Sequence, residues 1–79
     1  MKIDLAKYKT KKELLSLFAD DFEDLYGCNY DALYDVLTEI DKPFTLEIVN
    51  IDEYEQKDIL LNLLEDARTY NENLTITIE

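Results

Sequence analysis

Apolar and polar positions change their period along this chain in step with its turn residues. Near the N-terminus, Ile3 and Leu5 alternate with polar neighbours, which predicts a short strand over residues 1–5. Thr10-Lys11-Lys12-Glu13 then spells a capping box, in which the threonine hydroxyl takes the Glu13 N–H and the glutamate reaches back. The helix it opens is expected to run to about Phe22, with Leu14, Leu15, Phe18, Phe22 and Leu25 as its apolar stripe. Asp20, Asp21, Glu23 and Asp24 crowd the far end. The helix dipole disfavours negative charge there, so the helix should stop and leave an acidic rim ahead of Tyr26.

A turn and a second helix follow. Gly27 can supply a positive-φ turn and Asn29 is a good N-cap. Tyr30, Leu33, Tyr34, Leu37 and Ile40 fall at helical spacing on one face, and Asp31, Asp35, Thr38 and Glu39 share the other. Asp41-Lys42-Pro43 ends this helix, because the residue before a proline is pushed out of the α region. Residues 44–49 alternate as a strand, with Phe44, Leu46 and Ile48 against Thr45 and Glu47. Asn50 or Asp52 then offers an N-cap for a last helix reaching about Tyr70. Its wide apolar face comprises Ile59, Leu60, Leu61, Leu63, Leu64, Ala67 and Tyr70. Residues 71–73 form a turn, and residues 74–79 a third alternating strand.

Strands separated by helices need crossover connections, which implies a parallel sheet. Parallel strands covered on both faces would read as continuous apolar runs, and these alternate instead. The expected architecture is a two-layer α/β fold: a three-stranded parallel sheet with helices packed on one face and the other face wet. No repeat or internal boundary interrupts the pattern, so residues 1–79 are read as a single domain.

Composition narrows the function classes. A single Gly and a single Pro argue against a disordered or linker-like chain. No apolar run approaches the ~18 residues of a membrane span, and the basic N-terminus lacks the apolar stretch of a signal peptide. One cysteine cannot form an internal disulfide, which suits a reducing compartment such as the cytoplasm. The net charge of −11 is unevenly spread: about +4 over residues 1–12 and about −15 over the remainder, with eight acids and no base from Asp20 to Asp41. Such a field repels nucleic acid and anionic membrane and attracts a basic partner, although an acidic surface also serves solubility alone.

Candidate chemistry is sparse. Histidine is absent, and there is no glycine-rich phosphate loop, no paired-cysteine motif and no nucleophile–base pair, so an enzyme is not expected. No cofactor or metal is expected either: Asp20-Asp21-Phe22-Glu23-Asp24 lacks the spacing and glycine of a calcium loop. Asp31 and Asp35 stand one above the other at four-residue spacing, a pair that could do acid–base work but reads better as a solvated or partner-facing surface. Cys28 precedes a helix N-terminus, yet its acidic surroundings oppose a thiolate. Tyr30 is assigned inward, whereas Tyr26 and Tyr34 could face either the core or an interface.

The run YGCNYDALYDVLT resembles the barstar family, the intracellular inhibitors of small secreted ribonucleases. Tyr26, Gly27, Asn29, Asp31, Ala32, Leu33, Asp35, Leu37 and Thr38 match the family pattern. Tyr34 stands where a tryptophan is usual, Cys28 replaces a glutamate, and Leu25 replaces a tyrosine. The resemblance implies a barstar-like fold and a small basic ribonuclease (barnase-like) as partner, met by a monomer. It also implies that Asp35 takes the phosphate position, flanked by Asp31 and Asn29. Tyr26, Gly27, Tyr34 and Thr38 would add contact surface, and Asp66 would supply an acid from the last helix. An alternative keeps the acidic field without this geometry: an adaptor or nucleic-acid mimic that binds another basic protein.

Overall fold

The computed structural model describes residues 1–22 and 29–79. Strand β1 (Lys2–Asp4) leads to helix α1 (Lys11–Asp21), and helix α2 (Tyr30–Thr38) precedes strand β2 (Phe44–Val49). A 3₁₀ turn (Ile51–Glu53), helix α3 (Lys57–Tyr70) and strand β3 (Leu74–Ile78) complete the order. All strand pairs are parallel, in the order β1-β2-β3, with Ile3 opposite Ile48 and Leu46 opposite Ile76. Pairing extends past the strand ends, because Glu47 N–H donates to the Met1 carbonyl and Leu5 N–H to that of Val49. The expected span of residues 1–5 is thus met by hydrogen bonds if not by regular strand.

Alternation along the strands decides the layering. Ile3, Leu46, Ile48 and Leu74 are buried, whereas Lys2, Thr45, Glu47, Thr75 and Thr77 are exposed. The helices cover the first set. They contribute Leu14, Leu15 and Phe18 from α1, Leu33, Val36 and Leu37 from α2, and Leu60, Leu64 and Ala67 from α3 to one hydrophobic cluster. Each fully buried Leu or Ile of that kind contributes roughly 1.5–3 kcal/mol. The inferred two-layer α/β arrangement is the one found.

Helix α1 opens on the expected capping box, with Glu13 N–H donating to Thr10 Oγ1 at 3.2 Å. It ends at Asp21, after which Phe22 is extended; Leu25 of the expected stripe lies outside the described residues. Phe22 packs edge-on against Phe44 at 5.7 Å between ring centroids and stacks on Phe18 at 6.1 Å, joining the end of α1 to the start of β2.

The last helix departs from expectation. Neither Asn50 nor Asp52 caps α3, which begins seven residues after Asn50 at Lys57 and has no side-chain cap. The cause is Tyr54. Its side chain is driven into the core, 3% exposed, and its backbone is extended (φ −81, ψ 133), which breaks the helix before it can start. Asn50 instead makes the corner after β2 in the left-handed region (φ 60), and its amide donates to Asp4 Oδ1 at 2.7 Å. Asp52 pairs with Lys57 on the surface. The buried face of α3 is also narrower than its sequence suggests, since Ile59 is 48% and Tyr70 75% exposed. In α2 the helix stops at Thr38 rather than Ile40, and Val36 joins the buried residues.

One polar side chain closes the core. Asn71, immediately after α3, is buried, and its amide donates to the carbonyls of Leu37 (2.9 Å) and Ile40 (3.0 Å). The Leu37 carbonyl is one of those left without an intrahelical partner at the end of α2. Asn71 Oδ1 accepts the Asn73 N–H at 3.0 Å, so the α3–β3 turn and the end of α2 are fixed by one residue.

Two stability predictions follow from these contacts. Asn71→Ala leaves the buried Leu37 carbonyl without its side-chain partner and the Ile40 carbonyl with only the longer bond from the Asn73 amide (3.4 Å), and should cost about 2 kcal/mol in urea unfolding, with little change in the denaturant slope. Asn50→Ala removes the amide bond to Asp4 and puts in the left-handed region a residue that tolerates it less well than asparagine, and should cost about 1 kcal/mol, whereas Asn50→Gly should recover most of the backbone part. The Asn50 hydrogen bond, with the Ala6 N–H, holds the Asp4 carboxyl below its usual range. A lowered folded pKa stabilises above the unfolded value and is lost as pH falls. The gap between wild type and Asn50→Ala should therefore narrow in acid.

Candidate partner-binding surface on helix α2

Helix α2 is nine residues long, and its N-cap sets where the acids stand. Asn29 is extended (φ −139, ψ 158), and its Oδ1 accepts the Ala32 N–H at 2.7 Å. That bond fixes the first turn. Leu33, Val36 and Leu37 then turn inward at spacings of three and four. Asp31 and Asp35 are both exposed, about 6 Å apart along the axis at the α-helical rise. Glu39, the exposed C-cap, extends the column by another turn.

Charge is placed on α2 without regard to its dipole. Asp31 lies in the first turn, where negative charge is favoured, and no basic residue occupies the last turn. Glu39 sits at the C-terminal end, where its charge is unfavourable. Asp20 and Asp21 at the end of α1, and Asp41 after α2, are exposed as well. This surface presents hydrogen-bond acceptors and negative charge.

The neighbouring side chains are more committed. Tyr34 is half-buried against the core cluster, leaving only part of its ring for a partner. Thr38 Oγ1 donates back to the carbonyls of Tyr34 (2.9 Å) and Asp35 (3.1 Å), so its hydrogen is used and only its lone pairs face outward. Asp66 is exposed on α3, beside the buried Ala67; α3 packs on α2, and among the described residues no hydrogen bond joins Asp66 to the acids of α2. Tyr26, Gly27 and Cys28 lie outside the described residues.

Both ends of α2 are held by groups that the periodicity did not single out. Asn71 takes the C-terminal end, as described above. At the N-terminal end, Tyr30 turns inward as expected, but its hydroxyl meets Tyr54 Oη at 2.7 Å and Gln56 Oε1 at 2.6 Å. Lys11 Nζ lies 5.3 Å from the Tyr30 ring centroid, a cation–π contact. Local sequence carries no clue to these anchors: Tyr54 and Gln56 lie in the charged stretch 52–58, and Asn71 stands in a turn after Tyr70. Their partners lie 24 to 34 residues away, beyond any local pattern.

Among the described residues, no group of three or more His, Cys, Asp or Glu is arranged to hold a metal ion, and no helix is long and apolar enough to cross a membrane. Comparison with the curated proteins finds no match. The family model described as Barstar (barnase inhibitor) matches residues 1–79, the full length of the sequence. With a three-stranded parallel sheet, helices on one face and an acidic α2, the chain belongs to the barstar family, an inhibitor family rather than a family of enzymes.

Proposed function

We propose that this protein inhibits a small basic ribonuclease of the barnase type by inserting the exposed side of α2, and the turn before it, into the enzyme's active site. The observation that carries this reading is the column of exposed carboxylates, Asp31 and Asp35, on a short helix clamped at both ends, in a chain that matches the barstar family throughout. A ribonuclease gathers cationic side chains around the scissile phosphate. A carboxylate offered at fixed height can take the phosphate's place, and RNA is then shut out.

Asp35 is the residue assigned to the phosphate position, paired with arginines of the enzyme, because planar guanidinium groups bind a carboxylate in two parallel hydrogen bonds. Asp31 and Asn29 flank it. Tyr34, Thr38, Tyr26 and Gly27 supply contact surface, and Asp66 adds an acid from α3. The tyrosine at position 34, where the family usually has tryptophan, gives less ring area, so the fit is to a nuclease with a correspondingly fuller cleft. The inhibitor acts in the cytoplasm, as a monomer until it meets the enzyme, and binds no nucleic acid itself, since its acidic field repels phosphate.

A second reading, an acidic adaptor or nucleic-acid mimic for another basic protein, is favoured by one observation. The exposed acids extend well past α2, to Asp20, Asp21 and Asp41. The two readings distribute energy differently. Active-site plugging concentrates it on one desolvated carboxylate, whereas mimicry spreads it over many solvated ones and is screened by salt.

Asp35→Ala should weaken binding to barnase by about 2–5 kcal/mol in titration calorimetry, the generic cost of truncating one partner of a buried charge pair. Barnase–barstar is itself a standard case for that range, which is accordingly not a value derived from this chain. Thermal unfolding should be nearly unchanged, because Asp35 is exposed in the free protein. Unaltered affinity would remove Asp35 from the site. The double variant Asp20→Asn/Asp21→Asn should lower mainly the association rate, with an effect that fades as salt is raised. A loss that instead exceeds that of Asp35→Ala would favour the adaptor reading.

A further inference from the structure

We infer that Tyr54 and Gln56 are positioning residues for α2: through the Tyr30 hydroxyl they fix the start of the acidic helix before any partner arrives. This inference rests on the reading of α2 as the binding surface.

The direction of the relay follows from the number of protons available. Tyr30 Oη lies 2.6 Å from Gln56 Oε1, an atom that can only accept, so Tyr30 donates there. A phenol has one hydrogen. The 2.7 Å contact between the two hydroxyls is therefore donated by Tyr54 to Tyr30. Burial pushes both phenols above their usual range, and in Tyr54 the hydrogen bond to Tyr30 adds to the shift. Both stay protonated at neutral pH, and the relay keeps its order: Tyr54 to Tyr30 to Gln56.

The acceptor end is itself anchored. Gln56 immediately precedes α3, and its neighbour Glu55 is bound twice to the start of α1. Glu55 N–H donates to the Lys9 carbonyl at 2.9 Å, and Glu55 Oε1 accepts the Lys11 N–H at 2.9 Å. Lys11 then leans over the Tyr30 ring. The first residue of α2, the start of α1 and the segment before α3 are thus tied at one junction.

Apolar packing alone holds α2 on the core without fixing its height or its rotation, since dispersion contacts have little direction. The relay adds two directional bonds at the residue between the cap, Asn29, and the first acid, Asp31. Tyr54 is 3% exposed, so it touches no partner in the free protein's surface, and whatever it does to binding passes through α2. Loosening the junction lowers the fraction of molecules with α2 correctly placed. The apparent affinity falls by that fraction, and when placement precedes binding the loss appears in the association rate.

The test combines hydrogen exchange on the free protein with stopped-flow association to barnase, for wild type, Tyr54→Phe, Gln56→Leu, Gln56→Glu and, as reference, Asp35→Ala. Tyr54→Phe and Gln56→Leu should speed exchange in residues 30–38 by roughly five- to tenfold, leave β2 unchanged, and slow association only by the fraction of molecules in which α2 is displaced, at constant dissociation rate. Gln56→Glu keeps an acceptor oxygen and should restore most of both. Asp35→Ala should raise the dissociation rate without altering exchange. Exchange in residues 30–38 that stays at the wild-type rate, or that rises equally in β2, overturns the inference. If wild type fails to bind barnase, the ribonuclease reading falls, and exchange in residues 30–38 still decides the role of the relay.

Discussion

Burial of Leu33, Val36 and Leu37 is the interaction on which the rest depends. A helix of nine residues is too short to persist alone in water, and α2 is burdened further by like charges at four-residue spacing. Its apolar edge must supply what its polar edge takes away. That requirement accounts for the layout around it: a sheet whose inner face offers Ile3, Leu46 and Ile48, a neighbouring helix offering Leu60 and Leu64, and α1 closing the side with Phe18. The outer face of the sheet has no comparable duty and is polar.

Hydrophobic burial supplies adhesion, and the polar clamps supply position. Asn71 at one end, and Tyr54 and Gln56 at the other, are each more than 20 residues in sequence from the α2 residue they bond. Among the described residues, no buried side-chain nitrogen or oxygen lacks a hydrogen-bond partner, so these groups specify the arrangement without leaving an unpaired cost behind. The acids of α2 have no such stabilising task. Glu39 sits against the helix dipole, and Asp35 gains little from it. Side chains that folding would not select at those positions are best understood through what lies outside the molecule.

Much of this was legible in the residues themselves, and the boundary is a physical one. The Thr10–Glu13 box, the Asn29 cap, the proline stop and the alternation in β2 and β3 are local signals, and the structure repeats them. The acidic motif on α2 is legible in its spacing and in the family resemblance. What escaped was decided by contacts distant in sequence. Tyr54 falls inside the helix that the sequence predicts, but the core takes its ring and delays α3 to Lys57. Asn71 looked like an ordinary turn residue, because its duty is to carbonyls on another helix. Val36 lies off the stripe that runs through Tyr34, yet it is buried whereas Tyr34 is only half-buried. Ile59 and Tyr70 widen the apolar face of α3 in sequence, but only Leu60, Leu64 and Ala67 are buried.

The position of Asn71 has a consequence for how the protein comes into being. On the ribosome α2 is made well before the residue that seats its C-terminal end, and every strand pair joins segments separated by a helix. No early hairpin can stand in for the finished sheet. The acidic helix therefore acquires its working shape only when synthesis has passed α3. Until then the nascent chain is a tethered, negatively charged polymer, and the finished surface of α2 arrives late and all at once.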